Sequence, residues 1–183
     1  MAFDIASFKS RLRNGGARPN LFEVEVGNPI DGSADDVFRF HCRAAQLPAS
    51  TIPAIDVPYF GRQVRIAGNR TFEPWTVTIL NDEDFSVRTA LENWMGGIND
   101  HASNLQFNSQ TSYKNRDSKV VHYGKDGSVI ATYKFVGIFP TELGAVELAW
   151  DSNDQIEEFT CTFAYDYWLH EEAAGGLRVT VSL

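Results

Sequence analysis

Four histidines, two cysteines and a scatter of acidic pairs are the residues of this chain best equipped for chemistry. His41, His101, His122 and His170 fall in separate stretches, and none stands at the HxxxH or HExxH spacing that puts two imidazoles on one helix face for a metal. Cys42 and Cys161 form no CxxC and no Cys/His pair at zinc spacing, so they read as buried free thiols behaving as small hydrophobes. Glu157 and Glu158 suggest the carboxylate pair of a glycosidase. Neighbours on a strand point to opposite faces, however, and cannot act on one bond. Asn14-Gly15-Gly16 is a glycine pair better suited to stopping a helix than to cradling phosphate, and no GxSxG, GxxxxGK[ST] or strand-borne GxGxxG occurs. Neither a catalytic, a cofactor nor a metal site is expected.

The elements that would position a site indicate a β-rich domain. A chain of 183 residues suits one domain burying roughly 70% of its unfolded surface. Aromatic residues make up 13%, which suits a sheet-built core. Alternation predicts strands at 21–26, 37–43 (Phe38, Phe40 and Cys42 on one face), 71–81 (Trp75, Val77 and Ile79) and 157–168 (Phe159, Cys161, Phe163, Tyr165 and Tyr167). Residues 119–123 and 128–136 flank Asp126-Gly127 as a hairpin, and Phe139-Pro140 breaks the second strand. One helix is predicted over 82–98, opened by acids and closed by Gly96-Gly97, with Val87, Leu91, Trp94, Met95 and Ile98 as a core stripe. Residues 101–117 read as a polar surface loop.

Two segments fit no core. Residues 1–20 form an arm in which Phe3, Ile5, Phe8 and Leu12 line one side of a short helix. Residues 45–69 carry Pro48, Pro53 and Pro58, which exclude a helix or central strand, and predict a long projecting hairpin with Gly61 near its tip. Its apolar content either folds back over the core or meets a partner surface. The net charge of −8 excludes a tight grip on nucleic acid, while a wall past which DNA slides is compatible with it. With no signal-peptide centre and no run of roughly 18 apolar residues, a soluble cytoplasmic product with no membrane contact is expected, so Asn69-Arg70-Thr71 is a chance sequon.

Four stretches in order carry a resemblance: residues 15–24 (Gly-Gly-Ala-Arg-Pro-Asn-Leu-Phe-Glu-Val); residues 44–52 running on to Val57-Pro58-Tyr59-Phe60-Gly61-Arg62; residues 67–77 continuing through Asn81-Asp82-Glu83-Asp84-Phe85 to Trp94; and residues 136–142 with 154–160 and Phe163-Ala164-Tyr165. In these the chain resembles tail tube proteins of contractile-tailed phages of the myovirus type. Residues 103–116 and 171–183 lie outside the pattern.

The resemblance implies a single tube domain over 1–168, an antiparallel β-sandwich or barrel with one flanking helix, followed by a C-terminal tail, 169–183. It also implies a structural virion protein of the tail, assembled in the host cytoplasm, whose six copies close a ring. Rings stack into a channel that DNA crosses without specific binding, and sheath, baseplate and tail terminator are the expected partners. The alternative is the tube of a bacteriocin or injection system carrying no DNA. A stand-alone sandwich hydrolase or carbohydrate-binding domain is the reading from another class. Expected interface residues are Phe3, Phe8, Leu47, Ile52, Ile55, Val57, Tyr59, Phe60 and Arg62; expected channel-facing residues are Thr76, Thr78, Thr160, Thr162 and Asp166.

Overall fold

A computed structural model describes residues 5–12, 15–106 and 109–172. The element order is α1 (Ile5–Arg11), β1 (Phe22–Glu25), α2 (Asp35–His41), β2 (Cys42–Ala45), β3 (Ala54–Tyr59), β4 (Arg62–Ala67), β5 (Trp75–Leu80), α3 (Ser86–Ile98), α4 (Gln110–Tyr113), β6 (Lys119–Tyr123), β7 (Val129–Val136), β8 (Phe139–Leu143), β9 (Glu158–Ala164) and β10 (Tyr167–Glu172). Two four-stranded antiparallel sheets, β1-β6-β7-β10 and β2-β5-β9-β8, form a sandwich; β3 and β4 make a separate two-stranded ribbon.

The centre of the sandwich follows from period-two alternation. Trp75, Val77 and Ile79 of β5 stand opposite Phe163, Cys161 and Phe159 of β9, and all six are buried. Trp75 reaches across to Phe135 of β7, with ring centroids 4.6 Å apart. Trp94 of α3 closes one side of the core. Both indoles keep their polar end satisfied: Trp75 Nε1 donates to the Gln46 carbonyl at 2.7 Å and Trp94 Nε1 to the Tyr113 carbonyl at 2.8 Å. Removing either ring costs about 3–5 kcal/mol by the usual large-to-small penalty.

The expected strand at 37–43 is instead α2 followed by β2. Phe38, Phe40 and Cys42 are two and four apart, so a strand would bury all three and a helix only the first and last. Phe40 is 77% exposed, whereas Phe38 is buried and Cys42 half-buried. Helix chemistry decides it: Asp31 Oδ1 accepts from Ser33 N in the preceding turn, Asp35 and Asp36 occupy the first turn, and Arg39 and His41 the last.

The expected single strand at 157–168 is divided. β9 ends at Ala164, the chain turns a corner at Tyr165 and Asp166, and β10 pairs with β7 in the other sheet. Asp166 N donates to the Val136 carbonyl at 2.9 Å as the chain crosses over. Residues 169–172, expected in the tail, continue β10.

The predicted 82–98 helix begins only at Ser86, after a turn in which Phe85 is left-handed (φ 53°) and Asp84 Oδ1 accepts from Ser86 N at 3.0 Å. Gly96 and Gly97 lie inside it. The polar 101–117 segment contains α4 and returns to the core, where Asn115 and Ile138 exchange two backbone hydrogen bonds. β7 ends at Val136, before Gly137, and the expected breaker Phe139-Pro140 instead opens β8, an edge strand in which the missing proline N–H is tolerated. The β6–β7 hairpin forms as expected, with Gly127 at φ 78°.

Candidate assembly surfaces

The ribbon of β3 and β4 sorts its side chains by chemistry. One face carries the pairs Ile55–Ile66, Val57–Val64 and Tyr59–Arg62; the other carries Ala54–Ala67, Asp56–Arg65 and Pro58–Gln63. Asp56 and Arg65 form an ion pair at 3.2 Å on the polar face. Every position of both strands is exposed, so the apolar face has no cover among the described residues. An isolated two-stranded ribbon in water is at best marginally stable. This one is held at its root by the Thr51–Thr71 bridge and by Gly68 N donating to the Pro53 carbonyl at 2.8 Å. Trp75 and Trp168 pin the approaching chain through the Gln46 and Ala49 carbonyls.

The sequence-predicted interface residues Leu47, Ile52, Ile55, Val57, Tyr59, Phe60 and Arg62 are therefore brought together on and around one projection. At its tip Phe60 (φ 42°) and Gly61 (φ 79°) turn the chain, the left-handed pair of a tight hairpin. Phe60 is 91% exposed and stands edge-on to Tyr59 with centroids 4.6 Å apart. Phe8, on α1 with Ile5, is likewise exposed but belongs to a different segment. Phe3 lies outside the described residues.

A second surface is the outward face of β5 and β9. Thr76 stands opposite Thr162 and Thr78 opposite Thr160, and the Thr76 and Thr162 hydroxyls hydrogen bond to each other at 3.1 Å. The Thr141 hydroxyl donates to the Thr162 carbonyl at 3.1 Å. The face is short-chained, with the Thr76–Thr162 pair and Thr141 each engaging a hydroxyl on it. Glu142, opposite Thr162, and Glu158 add acid to it, and Glu158 pairs with Arg43. Asp166 is not part of this row: it sits at the corner between the sheets, where its carboxylate accepts from Lys114 Nζ at 2.8 Å.

A third surface was not legible in the alternation. The 144–157 loop is anchored at one end by Gly144 N on the Thr160 carbonyl (2.7 Å) and at the other by Asn81 N on the Glu157 carbonyl (2.8 Å). It overhangs Thr78 and Thr160 and encloses a cleft of about 650 Å³. Leu148, Ile156 and the fully exposed Trp150 project from it. The available signal was Trp150 beside Asp151-Ser152-Asn153-Asp154, an aromatic ring set among turn formers.

The titratable groups are structural in character. Glu23 is disfavoured as an anion by burial, but its hydrogen bonds from Arg39 and Tyr123 prevail and its pKa is lowered. Burial pushes the Cys42 thiol up to about 12, and burial with the nearby Glu142 pushes Cys161 up as well. Both therefore stay protonated and unreactive near neutral pH. Among the described residues no group of three or more His, Cys, Asp or Glu could hold a metal ion, and no helix is long and apolar enough to cross a membrane.

Comparison with known proteins matches residues 17–171 to the profile of the family described as phage tail tube protein. Tail tube protein gp19 of Enterobacteria phage T4 is 35% identical over 153 residues, 83% of this chain and 90% of that protein. Among solved structures, the anti-feeding prophage cap superposes with a TM-score of 0.64 at 17% identity, covering 86% of this chain and 91% of that one. The sheath-tube complex of an extracellular contractile injection system does so with a TM-score of 0.57 at 15% identity, covering 94% and 100%.

Proposed function

The chain belongs to the phage tail tube protein family and is a structural component of a contractile phage tail, and from that premise we propose that six copies close into a ring and rings stack into the inner tube. The observation that carries this reading is the apolar face of the β3–β4 ribbon, left uncovered while the sandwich completes its core without it. Apolar surface displayed on a stiff projection is a liability to a monomer and a contact in an oligomer. The open edges β2 and β8 of one sheet extend the same logic, since pairing edge to edge around a ring would satisfy their free backbone groups.

In that arrangement the threonine face lines the channel. Thr76 and Thr162 offer no cation to phosphate, Thr78 and Thr160 lie beneath the 144–157 loop beside them, and a net charge of −8 repels DNA, so the genome passes without being held. The chain performs no catalysis; its partners are its own copies, a sheath outside, a baseplate below and a terminator above, and it assembles in the host cytoplasm. Sheath contact and capping are supported by the fold shared with a sheath-bound tube and a tube cap. The injection-system tube is the lesser reading, because the 35% identity falls to a phage tube and the injection-system likeness is one of fold alone.

Ile55→Asp with Val64→Asp tests the proposal. Both side chains are exposed, so the monomer should unfold within about 0.5 kcal/mol of the parent, while ring and tube formation in sedimentation should be lost. Normal assembly by this variant would overturn the role of the ribbon.

A further inference from the structure

We propose that residues 177–183 fold back along β10 of their own chain as a fifth strand and close the free edge of the β1-β6-β7-β10 sheet. The inference touches the assembly reading above at one point: it leaves the other sheet as the one that can join edge to edge around a ring.

β10 is paired with β7 on one side, and among the described residues no strand pairs with its other side. Tyr167 and Leu169 are 44% and 48% exposed along it, and His170 and Glu171 are exposed as well. A row of unpaired backbone groups among such side chains is a template for another strand. Residues 173–183 lie outside the described residues, and their sequence is Ala173-Ala174-Gly175-Gly176 followed by Leu177-Arg178-Val179-Thr180-Val181-Ser182-Leu183. Apolar and polar residues alternate strictly from 177 to 183, the period of a strand with one wet face, and three of the seven are β-branched. The four residues 173–176, ending in two glycines, suit a hairpin loop. They span at most about 14 Å, so the segment meets its own β10 before any other edge.

A turn over 173–176 sets Arg178 across from Glu171, Val179 from His170, Thr180 from Leu169 and Val181 from Trp168. Pattern and charge agree on this register. Trp168 packs against the core, and the Tyr133 ring lies 5.4 Å from Trp168 and 4.7 Å from His170. Val179 and Val181 extend that aromatic row on the same face. On the opposite face Arg178 meets Glu171, which has no ion pair among the described residues. A slip of one residue would turn both valines outward and carry Arg178 to the wrong face.

The stretch matched to the family ends at residue 171, so this strand is a feature of the present chain. Its effect is selective. A sheet continues around a ring only if both of its edges are open. With β10 covered, the outer sheet offers β1 alone, whereas the other sheet keeps both β2 and β8.

Leu169→Cys with Thr180→Cys tests the pairing in the monomeric full-length protein. Opposed residues of antiparallel strands lie roughly 4.5–5.5 Å apart at Cα, within disulfide reach. Native Cys42 and Cys161 add little background, being half-buried and buried. Mild oxidation should give an intrachain 169–180 bond, while Leu169→Cys with Val181→Cys, whose side chains leave opposite faces, should stay reduced. Arg178→Glu should speed amide hydrogen exchange along β10 about fivefold, the effect of like charges across a strand pair, and Glu171→Arg in the same chain should restore it. A 169–180 bond that joins two chains, no bond at all, or equal bonding at 181 would overturn the fifth strand. The oxidised 169–180 protein should still assemble; assembly by the parent but not by the oxidised variant would overturn the closed β10 edge. A parent that forms the 169–180 bond when given the cysteines yet never leaves the monomer would overturn the assembly reading and leave the fifth strand standing.

Discussion

Glu23 shows how one half-buried polar group reports on the sandwich. Its carboxylate accepts from the Tyr123 hydroxyl at 2.8 Å and pairs with Arg39, tying β1 to β6 and α2. Because its folded pKa lies below the unfolded one, the stability it confers is complete above the unfolded value, roughly 4.3, and is lost as pH falls through the lower folded value. Urea unfolding of the monomer should therefore show Glu23→Gln clearly less stable than the parent at pH 6–7, with the gap narrowing as pH is lowered below about 4; a gap independent of pH would contradict the assignment. At this scale the sequence was readable wherever a residue type had one solution. Trp75, Val77 and Ile79 had to face inward, and the threonines between them outward. Asp166 was unreadable because its position depends on a corner that local alternation does not mark.

Among the elements, misreadings have a common cause: one pattern that two structures satisfy. Phe38 and Cys42 lie on the same side of a helix or of a strand, and only the acids of the first turn, Asp35 and Asp36, with Arg39 and His41 in the last, separate the two. Alternation likewise continues from β9 into β10, because each half alternates in its own sheet. The marker of the corner is elsewhere, at Gly137. This glycine has φ 71°, and a Cβ there would run into the Asp166 side chain. Gly137→Ala should thus destabilise the monomer by about 1–3 kcal/mol, the usual cost of a non-glycine residue in that region. Gly61→Ala at the open ribbon tip meets no neighbouring atom and should disturb only the local backbone. Equal stability of Gly137→Ala and the parent would show that the corner can relax. The ribbon itself was legible, since three prolines and a glycine within an apolar stretch leave few structures other than an edge hairpin. The 144–157 loop was not, because its structure comes from anchors on β9 and Asn81 that have no local pattern.

Over the whole molecule, a self-sufficient core is combined with surfaces that are not. The sandwich buries Trp75, Trp94, Phe135, Phe159 and Phe163, while the ribbon, the 144–157 loop and two sheet edges remain available. A monomeric binding domain would gather its exposed aromatics into one concave site. Here Phe60 and Trp150 project from separate elements, the distribution expected of a subunit that touches several neighbours. The acidic balance fits a wall past which DNA moves, and the paired threonine hydroxyls fit a smooth one. The most direct measurement is electron cryomicroscopy of the purified full-length protein under assembling conditions. The account predicts stacked six-fold rings around an open channel, with Thr76 and Thr162 on the channel wall and the β3–β4 ribbon buried against a neighbouring copy. A protein that remains monomeric, or a tube whose ribbons project freely into solvent, would contradict it.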